Sequence, residues 1–242
     1  IFHIAGITDL YKNELIEIYK KIKPGSGIGS SSASASGSVF AINELLGRPY
    51  NKSQLTSFAI KGEALASCSE HADNIAPGIF GGFTLVKSLF PLEILQIPVP
   101  KNLYAVIIHP QIEIKTSTAR SILPNNVPLS DAIIQWANLG SLVHALHTSD
   151  YGLIKRSLED IIIEPYRAQL IPHYLEVKKE AMNAGALGAS ISGSGPSIFM
   201  LSEGLETAKK VEKAIRTVYS KTDIAFETYV SSINVEGIKI MS

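Results

Sequence analysis

Ten residues near the start of the chain carry the first chemistry: Pro24-Gly25-Ser26-Gly27-Ile28-Gly29-Ser30-Ser31-Ser32-Ala33. Glycines let a backbone approach an anion closely and take up left-handed conformations. An apolar run, Val39-Phe40-Ala41-Ile42, follows at once, and reads as a helix whose first N–H groups lack intrahelical partners and attract negative charge. Serine hydroxyls add donors, and one can ligate a Mg²⁺ that accompanies phosphates. The alternative is a flexible Gly/Ser linker, which predicts low hydrophobicity on at least one side. The G-K-[ST] ending of the commonest phosphate loop is absent. No lysine lies between Lys23 and Lys52, so backbone amides, serines and metal must balance the charge.

Three further places have residue types fit for chemistry. Glu63 lies near the edge of a helical stripe formed by Leu55, Phe58, Ala59, Gly62 and Ala66; alone it reads either as a metal-binding carboxylate or as a solvated helix residue. His71, Asp73 and Asn74 follow closely. Their types suit either acceptor contacts or turn formation, and no third ligand at matching spacing supports a zinc site. A second glycine-serine stretch runs from Gly185 through Ser192-Gly193-Ser194-Gly195-Pro196-Ser197 into an apolar strand, Ile198 to Leu201.

The elements that must position these residues are legible in outline. Residues 14–22 alternate apolar and polar, which predicts a strand entering the first loop. Helices are expected at Ser32–Leu46, from a cap at Ser53 to around Ser67–Ser69, from Ser130 through Ile133, Trp136, Ala137, Gly140 and Val143, over 153–163, at Tyr174–Ala184 and at Glu206–Ser220. Strands are expected at 82–86, 92–97 and 103–110, with two more closing the chain, and 111–128 reads as loop. Pro98 to Pro100 mark a joint, which predicts domains at 1–100 and 101–242. The second half reads as an α+β, ferredoxin-like layer.

Composition narrows the class. Lys+Arg and Asp+Glu both number 22, so neither nucleic acid nor a membrane surface is implied as a partner. One cysteine, Cys68, excludes an internal disulfide framework and fits a reducing cytosol. No run reaches the ~18 apolar residues of a membrane span. Ile1-Phe2-His3-Ile4-Ala5-Gly6 begins in mid-pattern without methionine, which points to residues upstream.

Together the motifs identify a resemblance. The Pro24–Ala33 loop resembles the P-x-x-x-G-[LI]-G-S-S-A loop of the GHMP small-molecule kinases, and the Gly188–Ser197 stretch is similar to their C-terminal glycine motif. Within them, His71-Ala72-Asp73-Asn74-Ile75-Ala76-Pro77 with Gly81-Gly82, Thr116-Ser117-Thr118-Ala119-Arg120 ahead of Leu123-Pro124, and Glu164-Pro165-Tyr166-Arg167 ahead of Ile171-Pro172 resemble the homoserine kinase signatures. The resemblance implies a two-domain α+β fold, with a ribosomal-protein-S5-domain-2-like N-terminal domain and a ferredoxin-like C-terminal domain. It implies ATP and Mg²⁺ as cofactors, L-homoserine as acceptor, a cytoplasmic enzyme of threonine biosynthesis, and a homodimer as one compatible assembly.

Carried over, Pro24, Gly25, Ser26, Gly27, Ile28, Gly29, Ser30, Ser31 and Ser32 would hold ATP. Ser31 and Glu63 would hold Mg²⁺. His71, Asn74, Thr116 and Gly193 would line the acceptor site, where Arg120 and Arg167 would clamp the amino acid's carboxylate. Glu63, Ser31 and Arg120 form the implied catalytic set. The family's N-terminal substrate motif has no match here, since Asp9 and Asn13 lack its surroundings. A sugar- or mevalonate-type kinase and a catalytically inactive nucleotide-binding relative are the competing readings.

Overall fold

The computed structural model describes residues 16–20, 22–67 and 70–241. The expectations for Ile1–Gly6, Asp9, Asn13 and Cys68 lie outside the described residues. Two compact units are present: unit 1 comprises residues 1–24, 29–97 and 234–242, and unit 2 comprises 25–28 and 98–233.

Unit 1 packs helices against a hairpin. Helix α1 (Ser30–Leu45) starts directly after Gly29. Helix α2 (Lys52–Ser67) is capped by Asn51 rather than Ser53. The Asn51 side chain accepts from the Gln54 amide at 3.0 Å, and Gln54 accepts in return from the Asn51 amide, a reciprocal box that satisfies two end donors. Short helix α3 (Ile75–Phe80) precedes strands β1 (Phe83–Leu89) and β2 (Leu92–Ile97), which pair antiparallel. Val39, Leu55, Ala59, Ile60, Ala72, Ile75 and Ile79 form the core. The expected strand at 14–22 is not present among its described residues, 16–20 and 22. The tail also joins this unit: the Gly82 amide donates to Asn234 O at 2.7 Å and the Ile238 amide to Gly78 O at 2.9 Å.

Unit 2 begins with β3 (Leu103–Pro110), whose apolar run is buried as the sequence implies. The loop-like 111–128 contains a helical turn, α4 (Thr116–Ser121), and α5 (Leu129–Thr148) follows. Its expected apolar stripe does not face a core. Ile133 and Trp136 are more than half exposed, while Ala132, Ala145 and Leu146 elsewhere on the helix are buried. Helix α6 (Tyr151–Ser157) stops short of 163, and Pro165 opens α7 (Glu164–Arg167) rather than breaking a helix, because proline is tolerated in a first turn. Then come α8 (Tyr174–Asn183), β4 (Gly188–Ile191), β5 (Ile198–Glu203), α9 (Leu205–Tyr219) and β6 (Phe226–Ser232). Among the described residues one strand follows α9 where two were expected.

The four strands form an antiparallel sheet in the order β4-β5-β3-β6, the order of a ferredoxin-like β-α-β-β-α-β layer. Val177 and Ala181 of α8 and Ala208, Val211, Ile215 and Val218 of α9 pack on Val106, Ile108, Ile198 and Met200. The stretch from Gly188 read as a loop is half strand: β4 and β5 are a hairpin whose tip is residues 192–197.

Candidate active site

The glycine-rich stretch is shared out, Gly25–Ile28 to unit 2 and Gly29 onward to unit 1. In unit 2 the loop is gripped by the β4–β5 hairpin tip. Ser192 Oγ donates to Gly27 O at 2.9 Å, and Ser197 Oγ donates to Ser26 O at 2.5 Å. Gly27 has φ +78°, and a Cβ there would sit 2.6 Å from both Gly195 O and Ser192 O. Only glycine allows that approach. The two glycine motifs therefore form one structure.

Arg167, on α7, is half-buried and donates from Nε to Ala119 O (3.1 Å) and from Nη1 to Gly193 O (2.8 Å). Desolvation lowers its pKa first, Asp160 opposes this, and the neighbouring Arg120 lowers it further. Arg120 stands four residues after the exposed Thr116, both on α4. Two guanidiniums close enough to feel each other favour an anion beside them. Behind Arg167, the buried Glu164 carboxylate pairs with Lys178 of α8 and accepts from Ser190 Oγ of β4 at 3.0 Å. One carboxylate thus ties the arginine-bearing turn to the strand that leads into the hairpin tip.

In unit 1, α1 presents Ser31 at its first turn and α2 presents Glu63. Ser31 Oγ donates to Glu63 Oε1 at 2.7 Å. Glu63 is 5% exposed, because it follows Leu55 and Ala59 at four-residue steps on the face that α2 buries. The solvated-helix reading is therefore wrong for this residue. A hydroxyl and a carboxylate oxygen at this separation make a hard-oxygen pair. Mg²⁺ uses one or two carboxylates plus water and phosphate, so the donors fit that ion. Gly29, at φ +77°, has no room to spare: a Cβ would lie 3.3 Å from Asn74 Cβ and Oδ1. The His71–Asn74 turn is thereby held against the start of α1, with Asn74 exposed and His71 partly so.

Three expected ligands are turned inward. Ser26, Ser30 and Ser32 are all buried, and Ser30 Oγ donates to Ile22 O at 3.0 Å. Ser26 Oγ is buried and Ser30 Oγ is engaged by Ile22 O, so these two residues offer a phosphate their amides rather than their hydroxyls. Pro24, Gly25 and Ser31 are exposed and Ile28 is partly so. Sequence reasoning passed over Glu164, Ser197 and His109. The first two stood inside recognised motifs; His109, at the end of a buried strand, carried no signal.

Among the described residues no helix is long and apolar enough to cross a membrane. Residues 3–82 match the family model for the GHMP kinase N-terminal domain, and residues 142–221 match that for the GHMP kinase C-terminal domain. The chain is 49% identical to the homoserine kinase of Chlorobium phaeovibrioides over 228 residues, covering 93% of this chain and 71% of that protein. It is 41% identical to the homoserine kinase of Thermococcus kodakarensis over 220 residues, 91% of this chain and 73% of that one. The crystal structure of homoserine kinase from Cytophaga hutchinsonii superposes with a TM-score of 0.88 at 51% identity, over 90% of this chain and 69% of that one. The crystal structure of L. major mevalonate kinase shares the fold, with a TM-score of 0.68 at 16% identity, over 89% of this chain and 68% of that one. With the GHMP fold, both glycine motifs and these relatives together, the chain belongs to the homoserine kinase family of the GHMP kinases.

Proposed function

We propose that this protein transfers the γ-phosphoryl group of ATP to the side-chain hydroxyl of L-homoserine, giving O-phospho-L-homoserine for threonine biosynthesis in the cytoplasm. In this reading residues 1–100 act as the ATP-binding domain and 101–242 as the C-terminal domain. The observation that carries the acceptor assignment is the Arg167–Arg120 pair, anchored by the two backbone bonds of Arg167. An amino-acid carboxylate needs such a clamp and a neutral sugar does not.

The loop amides of Gly27, Ile28 and Gly29, with those of the first turn of α1, hold the phosphates, and the helix terminus adds its dipole. Ser31 and Glu63 would hold Mg²⁺, which neutralises charge on the phosphoryl oxygens when bound with the nucleotide. Arg120 and Arg167 orient the acceptor through its carboxylate; Thr116 and Gly193, and within unit 1 His71 and Asn74, are assigned to acceptor contact by their place in the family's motifs. Positioning and charge balance then supply the rate, and no general base is assigned. A second copy of the chain is the proposed protein partner, and light scattering of the purified protein checks it.

An ADP-release assay with Mg-ATP tests the reading. Turnover with L-homoserine and not with galactose or mevalonate is expected. Turnover with galactose or mevalonate alone would replace it with another GHMP activity, and absence of turnover with retained nucleotide binding would favour an inactive relative. Glu63→Ala should abolish turnover and leave a folded protein; unchanged turnover would remove Glu63 from the metal site.

A further inference from the structure

We infer that His109 is a positioning residue for the phosphate loop, acting through the hydroxyl of Ser197. The inference rests on the nucleotide-binding role proposed for Gly25–Gly29 and assigns a residue that this role did not require.

His109 lies near the end of β3, 4% exposed, and Ser197 is fully buried in the hairpin tip just before β5. Ser197 Oγ lies 2.5 Å from Ser26 O and 3.1 Å from His109 Nδ1. A carbonyl oxygen can only accept, so the single hydroxyl proton of Ser197 goes to Ser26 O. Having no second proton, the hydroxyl must accept from His109, which places a proton on Nδ1. His109 therefore orients the hydroxyl, and the hydroxyl fastens the carbonyl. The Ser197 amide also donates to Ser26 O at 3.3 Å, and Ser192 Oγ fastens the next carbonyl, that of Gly27.

The consequence follows from peptide geometry. In a planar trans peptide the N–H points away from the preceding C=O. Fixing Ser26 O and Gly27 O onto the hairpin tip turns the amides of Gly27 and Ile28 outward from it. Among the described residues neither amide has a hydrogen-bond acceptor. Two adjacent, outward, unsatisfied N–H groups in a glycine loop are what an anionic phosphate takes up. Hydrogen-bond donors aimed by a buried network lose less by reorganising on binding, so His109 acts on affinity for the nucleotide and not on the acceptor.

The test compares His109→Leu, which fills the site without a donor, with His109→Asn, which restores one near the Nδ1 position. Steady-state kinetics give KM for Mg-ATP and for homoserine separately, and calorimetry gives Kd for Mg-ADP. His109→Leu is expected to raise both nucleotide constants about tenfold, the effect of losing one buried hydrogen bond, with KM for homoserine changed less than about twofold. His109→Asn should recover most of the loss. Equal weakening by both variants, equal change in both KM values, or unchanged Mg-ADP binding by His109→Leu would each overturn the inference. Should His109→Leu not fold, Ser197→Ala must give the same nucleotide-selective loss, and its failure to do so is equally decisive. Wild-type protein that binds no Mg-ADP would instead refute the nucleotide role of the loop.

Discussion

Replacing Gly27 by alanine probes the packing of the two glycine motifs against each other. The added Cβ would lie 2.6 Å from Gly195 O and from Ser192 O, whereas ordinary contact begins at 3.4 Å. Relief therefore requires the loop and the hairpin tip to part by about 0.8 Å, the difference between those distances. That opening stretches the Ser192–Gly27 bond from 2.9 Å to beyond hydrogen-bonding range, and it loosens the Ser197–Ser26 bond beside it. Each lost bond costs about 1 kcal/mol. Holding alanine at φ +78° costs about 1 kcal/mol more. The expected destabilisation is about 2–3 kcal/mol, or a fall in Tm of roughly 4–12 °C for a chain of this size. Differential scanning calorimetry reads it directly. Gly37→Ala is the internal control: this glycine lies within α1 and a Cβ would meet nothing within 4 Å. It should gain about 0.5–1 kcal/mol from helix propensity. A Gly27→Ala protein melting within about 1 °C of wild type would refute the reasoning, because the carbonyl contacts could not then be as close as described.

Other perturbations test other parts of the site. Arg167→Lys cannot reproduce two bonds made from different guanidinium nitrogens to Ala119 O and Gly193 O; KM for homoserine should rise about tenfold or more in steady-state assays. Glu164→Ala leaves the half-buried Lys178 without its carboxylate; a loss of about 2–3 kcal/mol is expected by urea denaturation, and adding Lys178→Met should recover part of it. Tyr219 is fully buried, donates to Pro172 O at 2.6 Å, and has its pKa raised by burial. The folded state thus keeps a phenolic proton that the unfolded chain releases near pH ~10. This contribution is complete below that pH and is lost as pH rises through the alkaline range, so Tyr219→Phe should flatten the alkaline fall in Tm.

Much of the architecture could be read from local signals. The order of the main helices and strands follows hydrophobic period, and the β3 run reads as buried because it is apolar on both sides. The errors sit where non-local pairing decides. Gly188–Ile191 looks like loop by composition and becomes strand because β5 supplies its hydrogen bonds. The 14–22 alternation has strand period, yet its described residues form no strand. Asn51 and Ser53 are both good caps, and Gln54 decides between them by reciprocating with Asn51. On α5 the stripe through Ile133 and Trp136 has the period of a core face but lies exposed, while Ala132, Ala145 and Leu146 are covered.

The site divides in the same way. Residue types alone determined that Gly25–Ser32 could hold phosphate without a lysine, because glycine conformations and helix-end amides are properties of a few consecutive residues. The resemblance of the chain's motifs to those of the GHMP kinases then marked which arginines, which carboxylate and which turn were worth following. Tertiary structure decided which of those groups can act together. It buried Glu63 and placed it 2.7 Å from Ser31, it joined the two glycine motifs through Ser192 and Ser197, and it turned the hydroxyls of Ser26 and Ser30 inward. It also set His109 behind the loop, 88 residues from Ser197 along the chain. Burial and hydrogen-bond direction depend on partners far away in sequence, and no window of consecutive residues contains them.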